Sequence, residues 1–290
     1  MAIYNTHWFN KFFTEYLQRD IPADSWEWLN IHKTKFNSAE KSKTFLSAFT
    51  LVPRYTGKAG INLTPQEKNE ITENYPGFPI LNYTIDRLAR VWLLLNFPAE
   101  EKDLYVSSIS QLFKNAEVNE QVALYAALPF LSYPEDWIKQ SIEGIRSNIG
   151  VVLEAIMCDN PYPAQYLQDP AWNQLVLKAF FTEKPVNKIV GLDTRANKQL
   201  ALTLMDYVHE RRAANREINP QLWRLVGKFM DDTIFTTLKK VFTEGTENNK
   251  KAAALSLSQS AHPLALELLH ANQHFKLEIE SKKLNWDTIV

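Results

Sequence analysis

The sequence predicts an all-α protein, arranged as an irregular α-solenoid or HEAT-like α-α superhelix. Glycine is scarce, with eight in 290 residues, whereas tight hairpins and phosphate-binding loops both need glycine at positive φ. Leu, Ala, Lys, Glu and Gln, which favour helices, are abundant instead. Apolar residues also recur at helical spacing in segments that short, proline-marked loops separate. These features favour packed helices over sheets.

The first predicted helix covers residues 7–19 and carries an aromatic stripe. The stripe consists of Trp8, Phe9, Phe12, Phe13, Tyr16 and Leu17. We expect the helix to dock on the core through that face. The alternative is a helix that lies in a membrane interface and makes membrane contact. Such helices usually carry a polar face rich in Lys and Arg, which this segment lacks.

Residues 1–85 form a less regular N-terminal part, because prolines punctuate the stretch 22–85. Thr64, Pro65 and Glu67 are typical of a helix start, with the threonine as N-cap, the proline in the first position and the glutamate completing a capping box. This part is therefore predicted to contain helices joined by long connections.

A regular succession of helices is predicted from Asp86 onward. Lys250 to Leu257 resembles the small-residue inner helix of HEAT-type repeats. We predict a single helical domain over 1–290, in which 86–290 form a repeat-like body that carries a motif region at 143–227. The predicted segments are 86–97, 100–114, 118–132, 135–148, 149–158, 170–182, 196–214, 219–229, 231–243, 247–259, 262–274 and 276–283.

Composition limits the function classes. The formal net charge is −1, so no basic field for nucleic acid is expected. Cys158 is the sole cysteine, which excludes an intramolecular disulfide, and we expect a buried, unreactive thiol. Nucleotide-binding glycine patterns, nucleophile elbows and CxxC pairs are absent, so no cofactor is predicted. With no signal-peptide pattern and no apolar run of membrane length, a cytoplasmic protein is expected.

Glu154 is the only charged residue in the apolar run 149–158. A helix that is apolar nearly all round is usually buried. A buried carboxylate needs a partner or becomes neutral. Glu154 is therefore predicted to be either a structural acid paired with a cation or a general base with a raised pKa.

Polar residues on both sides of this run are candidate ligand-binding groups. Glu143 and Arg146 are neighbours on one helix face. They form either an exposed ion pair or place an arginine against an anionic ligand group. Asn148 follows them, and Asn160 and Tyr162 lie in a rigid, proline-flanked exit from the run.

The predicted helix at 170–182 mixes apolar and polar residues. Trp172 belongs to its apolar face, while Asn173, Gln174 and Lys178 interrupt the pattern. Buried amides are nearly always hydrogen-bonded, so these side chains need polar partners on other helices or on a ligand. The further candidate ligand-binding residues are Asp193, Arg195 and Arg212.

Acid–base catalysis is the alternative function. Asp206 and His209 have helical spacing, and an acid that orients a histidine is a recurring general-base arrangement, although such pairs are also common on solvated helix edges. His270 and His274, with Glu267 one turn earlier, have a spacing compatible with a metal. We favour an exposed polar face there and predict no metal site.

Six stretches in the central third of the chain form an ordered set. They are EGIRSN (143–148), EAIMCDNPYPA (154–164), AWNQLVLKAFF (171–181), GLDTRAN (191–197), DYVHERR (206–212) and LWRLVG (222–227). In this order and at this spacing they resemble the EboA family of bacterial metabolite-traffic proteins. The resemblance implies a part in making or moving a small secondary metabolite, such as a prenylated cyclitol, alongside other enzymes of one pathway. It implies no catalytic residue.

We therefore expect a helical protein that binds a polar metabolite or serves as a scaffold for pathway enzymes, on the concave side of the solenoid. In this hypothesis Arg146, Lys178 and Arg195 hold anionic or hydroxyl groups, and Trp172 and Tyr162 stack on the ligand. The alternative is a cofactor-free enzyme of the same pathway that uses the acid and base residues named above.

Overall fold

A computed structural model describes residues 3–38 and 40–289, and within these ranges the protein is all-α, with one isolated antiparallel bridge as its β-type pairing. Contacts divide the chain into two compact units, Met1–Gln168 and Asp169–Val290. The all-α prediction is confirmed. The superhelical stacking and the single domain stay predictions.

The first unit contains helices α1 to α10. They are α1 Thr6–Asp20, α2 Ala23–Lys35, α3 Lys41–Thr56, α4 Pro65–Asn74, α5 Ile85–Asn96, α6 Lys102–Asn115, α7 Val118–Ala127, α8 Ile138–Arg146, α9 Gly150–Met157 and α10 Tyr162–Tyr166, with 3₁₀-helices at Ile80–Asn82, Leu128–Phe130 and Pro134–Trp137. Helix α5 is central, because it packs against α1, α3 and α7, and α7 packs in turn against α9. All of α5 from Leu88 to Leu94 is buried.

The aromatic stripe of α1 faces the interior. Phe9, Phe12 and Phe13 are no more than 5% exposed. The Phe9 ring centroid lies 4.7 Å from that of Phe78 and 4.9 Å from that of Phe130. Aromatic pairs at such separations add to the burial of apolar area. The prediction that this helix docks on the core is therefore confirmed.

Pro53 lies inside α3. A helical proline has no N–H, so the carbonyl four residues earlier, that of Phe49, lacks its donor. Arg90 Nε donates to this carbonyl at 3.0 Å, and the guanidinium pairs with Asp86 at 2.7 Å and with Glu120 at 3.9 Å. All three charged side chains are buried. One arginine therefore joins α3, α5 and α7 and compensates for the proline.

The helix start predicted at Thr64 is confirmed. Thr64 Oγ1 accepts a hydrogen bond from the Glu67 N–H at 3.2 Å, and the Glu67 carboxylate accepts one from the Thr64 N–H at 2.7 Å. Arg19 of α1 also pairs with Glu67. Burial raises the pKa of Glu67, but the hydrogen bonds from Arg19 and Thr64 outweigh it and hold the pKa below its ordinary value.

Replacing Glu67 with alanine is expected to lower the free energy of unfolding by about 1 kcal/mol at pH 7, because the cap and the ion pair are lost. The folded-state pKa is lowered, so this stability is present above the unfolded pKa and is lost as the pH falls through the folded pKa. Urea unfolding of both proteins should give a difference that shrinks below about pH 4.5. Glu70→Ala, on an exposed position of α4, is the matched control; an equal effect there, or a difference independent of pH, would contradict the assignment.

The second unit contains helices α11 to α16. They are α11 Asp169–Phe181, α12 Lys198–Ala213, α13 Asp232–Glu244, α14 Glu247–Ser258, α15 Pro263–Ala271 and α16 Gln273–Glu280, with 3₁₀-helices at Val186–Lys188, Pro220–Leu225, Gly227–Phe229 and Trp286–Thr288. Helix α14 is central here. It packs against α13, α15, α16 and the 3₁₀-helix Pro220–Leu225, and its small-residue stretch from Ala252 to Leu257 is buried.

Two predicted helices of this unit differ in the structure. The segment 219–229 forms two 3₁₀-helices instead of one α-helix, and its Gly227 backbone approaches α14 closely. The segment 262–274 breaks at Asn272, where φ is −116° and ψ is 67°. His270 and His274 therefore lie on separate helices, and their sequence spacing does not place them one turn apart on a common face. Within the described part of the chain, no helix is long and apolar enough to cross a bilayer.

Candidate functional site

Glu154 is exposed, which corrects the prediction of a buried carboxylate. Helix α9 presents Val151 and Glu154, one turn apart, on its outer side, while Val152 and Ile156 point into the core. Val151 is 49% exposed although it is apolar, so the run looked apolar all round. The burial on which the general-base hypothesis depended is absent.

Glu143 and Arg146 form an exposed ion pair, with Arg146 Nη1 3.0 Å from Glu143 Oε1 and more than half of each side chain accessible, at 59% for Arg146 and 57% for Glu143. Asn148 is exposed as well. Surface pairs of this kind contribute between nothing and about 1 kcal/mol. The prediction that Glu143 and Arg146 are neighbours on one helix face is confirmed. Of the two alternatives, the structure has the exposed ion pair.

Asn160 and Tyr162 are buried and engaged inside the first unit. Asn160 Nδ2 donates to the carbonyls of Tyr125 at 2.9 Å and Ala155 at 3.0 Å, and its Oδ1 accepts from the Tyr162 N–H at 3.0 Å. The Tyr162 hydroxyl donates to the Pro134 carbonyl at 2.5 Å, and burial raises the pKa of this tyrosine. These polar atoms stabilise the fold of the first unit through hydrogen bonds to the protein, so they are not available to a ligand.

The first unit has a polar cleft of about 540 Å³. Two of its polar side chains already have partners. Lys41 Nζ lies 2.6 Å from Glu101 Oε1, and Asn96 exchanges hydrogen bonds with Asn10 at 3.3 and 2.8 Å. Asn37 and Glu100 also line the cleft, and neither side chain has a hydrogen bond or ion pair in the described part of the chain, so the cleft keeps some unengaged polar groups.

The second unit has a groove between α11 and α12, and two asparagine amides are part of its lining. Asn197 caps α12, because its Oδ1 accepts from the Leu200 N–H at 2.9 Å. The Asn173 and Asn197 side chains exchange hydrogen bonds at 3.2 and 2.8 Å. The interhelical bonding expected for Asn173 is thus present, and it fixes both amides at the rim of the groove.

The α11–α12 groove has a volume of about 480 Å³, within the range of about 300–1,000 Å³ typical of small-molecule sites. Gln174 and Gln199 lie on its two sides and are both exposed, and neither side-chain amide has a hydrogen-bond partner among residues 3–38 and 40–289. The lining residues are Asp169, Pro170, Asn173, Gln174, Leu177, Asn197, Gln199 and Thr203. The groove therefore combines polar rims with apolar surface from Leu177 and Pro170.

Arg195 pairs with Asp169, one of the residues that line this groove. Arg195 Nη2 lies 2.8 Å from Asp169 Oδ1, and its guanidinium lies 4.9 Å from the centroid of the Trp172 ring. Trp172 is fully buried, so its ring is packed in the protein and is not open for a ligand to stack on. Asp193 makes a bidentate pair with Arg224, with both N–O distances at 2.5 Å.

The remaining candidate residues differ in how exposed they are. Lys178 is half-buried on α11, and Asp206 and His209 are exposed on α12. No hydrogen bond joins Asp206 to His209 in the described part of the chain. Within the same ranges, no group of three or more His, Cys, Asp or Glu side chains is arranged to hold a metal ion. Cys158 is half-buried instead of fully buried.

Arg212 lines a second, smaller cavity of about 230 Å³ together with Trp223 of the Pro220–Leu225 3₁₀-helix. This cavity shares no lining residue with the α11–α12 groove.

Sequence reasoning found Asn173 and Gln174 but not the residues that line the groove from the α12 side, Asn197, Gln199 and Thr203. The signals were present. An asparagine directly before a helix is a favoured N-cap, and Gln199 and Thr203 are four residues apart, so they share one face of α12.

The family model described as "Metabolite traffic protein EboA" matches residues 9–227, a range that includes the whole lining of the α11–α12 groove. No curated protein and no solved structure matches the chain.

Proposed function

Because this chain belongs to the EboA family of metabolite traffic proteins, we propose that it binds a small metabolite in the α11–α12 groove and hands it on unchanged. The observation that carries the proposal is the pair of glutamines, Gln174 and Gln199, which line one groove and have no hydrogen-bond partner among the described residues. Amides that are left unpaired at a concave site are available to a ligand.

The lining residues indicate the class of metabolite. Amide side chains both donate and accept, so they suit hydroxyl groups. The carboxylate of Asp169 lines the groove and is paired with Arg195 at 2.8 Å, which leaves little net charge for an ionic ligand. Leu177 and Pro170 add apolar surface. We therefore propose a neutral, hydroxyl-rich molecule with an apolar portion, as in a cyclitol that carries a prenyl chain.

The same lining favours carriage over catalysis. Among the described residues that line the groove, Asp169 is the only titratable one, and a general acid or base must reach the proton it transfers. The residues that the catalytic alternative would use, Glu154, Asp206 and His209, do not line the groove. A scaffold role toward other enzymes of the pathway stays a prediction.

The test is native mass spectrometry on protein purified gently from the organism that encodes it. The wild-type protein should carry a small molecule of defined mass. The variant Gln174→Ala/Gln199→Ala should lose it, with affinity lowered by about tenfold to a hundredfold, because each lost hydrogen bond contributes about 0.5–1.5 kcal/mol. The fold should be retained, since neither side-chain amide bonds to the described protein.

Lys198→Ala is the matched control, because Lys198 is exposed on α12 beside Gln199 but does not line the groove. It should retain the bound molecule. Equal retention by the double variant, or equal loss by the control, would contradict the groove as the site.

A further inference from the structure

The second unit contains a cavity that the proposed metabolite groove does not use. It has a volume of about 230 Å³, large enough for a small organic molecule but below the usual range of about 300–1,000 Å³ for drug-sized ligands. Its lining residues are Arg212, Ile218, Trp223, Lys240, Val241, Glu244, Gly245 and Asn249. It therefore combines three charged side chains with an apolar wall.

Arg212 is a cation of this cavity that has no ion-pair partner among the described residues, whereas Lys240 lies 3.9 Å from Glu244. Its side chain is half-buried near the end of α12, and its guanidinium makes no hydrogen bond or ion pair with any described residue. Burial lowers the pKa of Arg212, and the Glu244 carboxylate opposes that shift without forming an ion pair. A partly desolvated guanidinium with five free donors favours an oxyanion, which it can bind through two parallel hydrogen bonds.

Lys240 and Glu244, the other charged residues of the cavity, indicate which net charge the ligand carries. Lys240 Nζ lies 3.9 Å from Glu244 Oε2, and both side chains are well exposed, at 65% and 66%. Two cations and one carboxylate leave an excess of one positive charge. A single negative charge complements this excess, whereas a phosphate dianion would meet repulsion from Glu244.

The apolar wall of the cavity indicates that the uncharged part of the ligand is apolar. Ile218 is half-buried and Val241 is 7% exposed, and both aliphatic side chains line the cavity. Trp223 is fully buried, so its ring is not open for a ligand to stack on. An apolar body would pack against Ile218 and Val241.

We propose that this cavity binds a small organic monocarboxylate, with the carboxylate on Arg212, supported by Lys240, and the apolar body against Ile218 and Val241. The site is independent of the metabolite groove. It gives the second unit a binding site for an acid, whether that acid is a free metabolite or the carboxylate of a larger ligand.

The test uses ¹⁹F NMR titration of the full-length protein with 4-fluorobenzoate at low salt, since exposed charges are screened by salt. The neutral analogue 4-fluorobenzyl alcohol and inorganic phosphate serve as comparison ligands. 4-Fluorobenzoate should bind at least about tenfold more tightly than either, because a charge-assisted bidentate contact is lost in the alcohol and the phosphate lacks the apolar body. Equal binding of the alcohol, tighter binding of phosphate, or no binding of the benzoate would overturn the proposal.

Variants assign the contacts. Arg212→Gln should weaken 4-fluorobenzoate binding about tenfold or more, and Lys240→Gln by a smaller factor, because Lys240 is more exposed. Glu244→Gln should tighten binding a fewfold, since it removes the competing carboxylate. Lys239→Gln, exposed on α13 but outside the cavity, should change nothing. Equal loss in Lys239→Gln, or no loss in Arg212→Gln, would show non-specific attraction and overturn the assignment.

Discussion

Replacing Arg90 with methionine is expected to lower the free energy of unfolding by about 3–5 kcal/mol, because it removes one member of a buried charge cluster. Asp86 and Glu120 would be left buried at 3% and 7% exposure without their cation. The Phe49 carbonyl would also lose the donor that stands in for the missing N–H of Pro53. Urea unfolding followed by circular dichroism measures the change.

Two further variants make this prediction specific. Arg54→Met changes an exposed arginine on the same helix as Pro53, and we expect a change within about 0.5 kcal/mol. Pro53→Ala restores an N–H for the Phe49 carbonyl, so it should recover about 1 kcal/mol more in the Arg90→Met background than in the wild type. An Arg90→Met protein as stable as Arg54→Met would show that the cluster does not support the fold.

Replacing Gly227 with alanine is expected to cost about 3 kcal/mol, at the upper end of the range for overpacking. A Cβ atom there would lie 2.5 Å from the backbone oxygen of Ser256 and 3.0 Å from its Oγ. Backbone of the central helix α14 cannot move aside as a side-chain tip can, so α14 and the 3₁₀-helix Gly227–Phe229 would have to separate. Thermal and urea unfolding both report the loss.

Gly60→Ala is the matched control for this change. A Cβ atom at Gly60 meets no atom within 4 Å, and its φ is not positive, so the variant should change stability by no more than about 0.5 kcal/mol. If Gly227→Ala were as mild as Gly60→Ala, the close approach to Ser256 would not constrain the second unit.

The helical content could be predicted from the sequence because its causes are local. Scarce glycine, helical apolar spacing and the capping box at Thr64 act within one or two turns of the chain. Pro53 shows where local signals end. It signals a break, yet α3 continues through it, since Arg90, distant in sequence, supplies the missing donor to the helix.

The exposure of Glu154 could not be predicted for a related reason. Periodicity places Val151 and Glu154 on one face of α9, but it does not say whether an apolar residue on that face is covered. In the structure Val151 is left 49% exposed, and surface apolar residues of this kind are common. The inference from an apolar run to a buried charge therefore failed.

The sequence predicted the α11 side of the candidate groove but not its α12 side. Asn173 and Gln174 were identified because polar residues interrupt an apolar helix, which is visible in one segment. The α12 residues of the groove, and the cavity that Arg212 and Lys240 line together, depend on how separate helices pack. Sequence spacing carries no information on distances between separate helices.

The most direct test of the central claim is a crystal structure of the wild-type protein purified from its own organism without added ligand. We predict electron density for a small molecule in the α11–α12 groove, with its hydroxyl groups within hydrogen-bond distance of Gln174 and Gln199. Density for the co-purified molecule in the polar cleft beside Lys41, with the α11–α12 groove holding solvent only, would contradict the account.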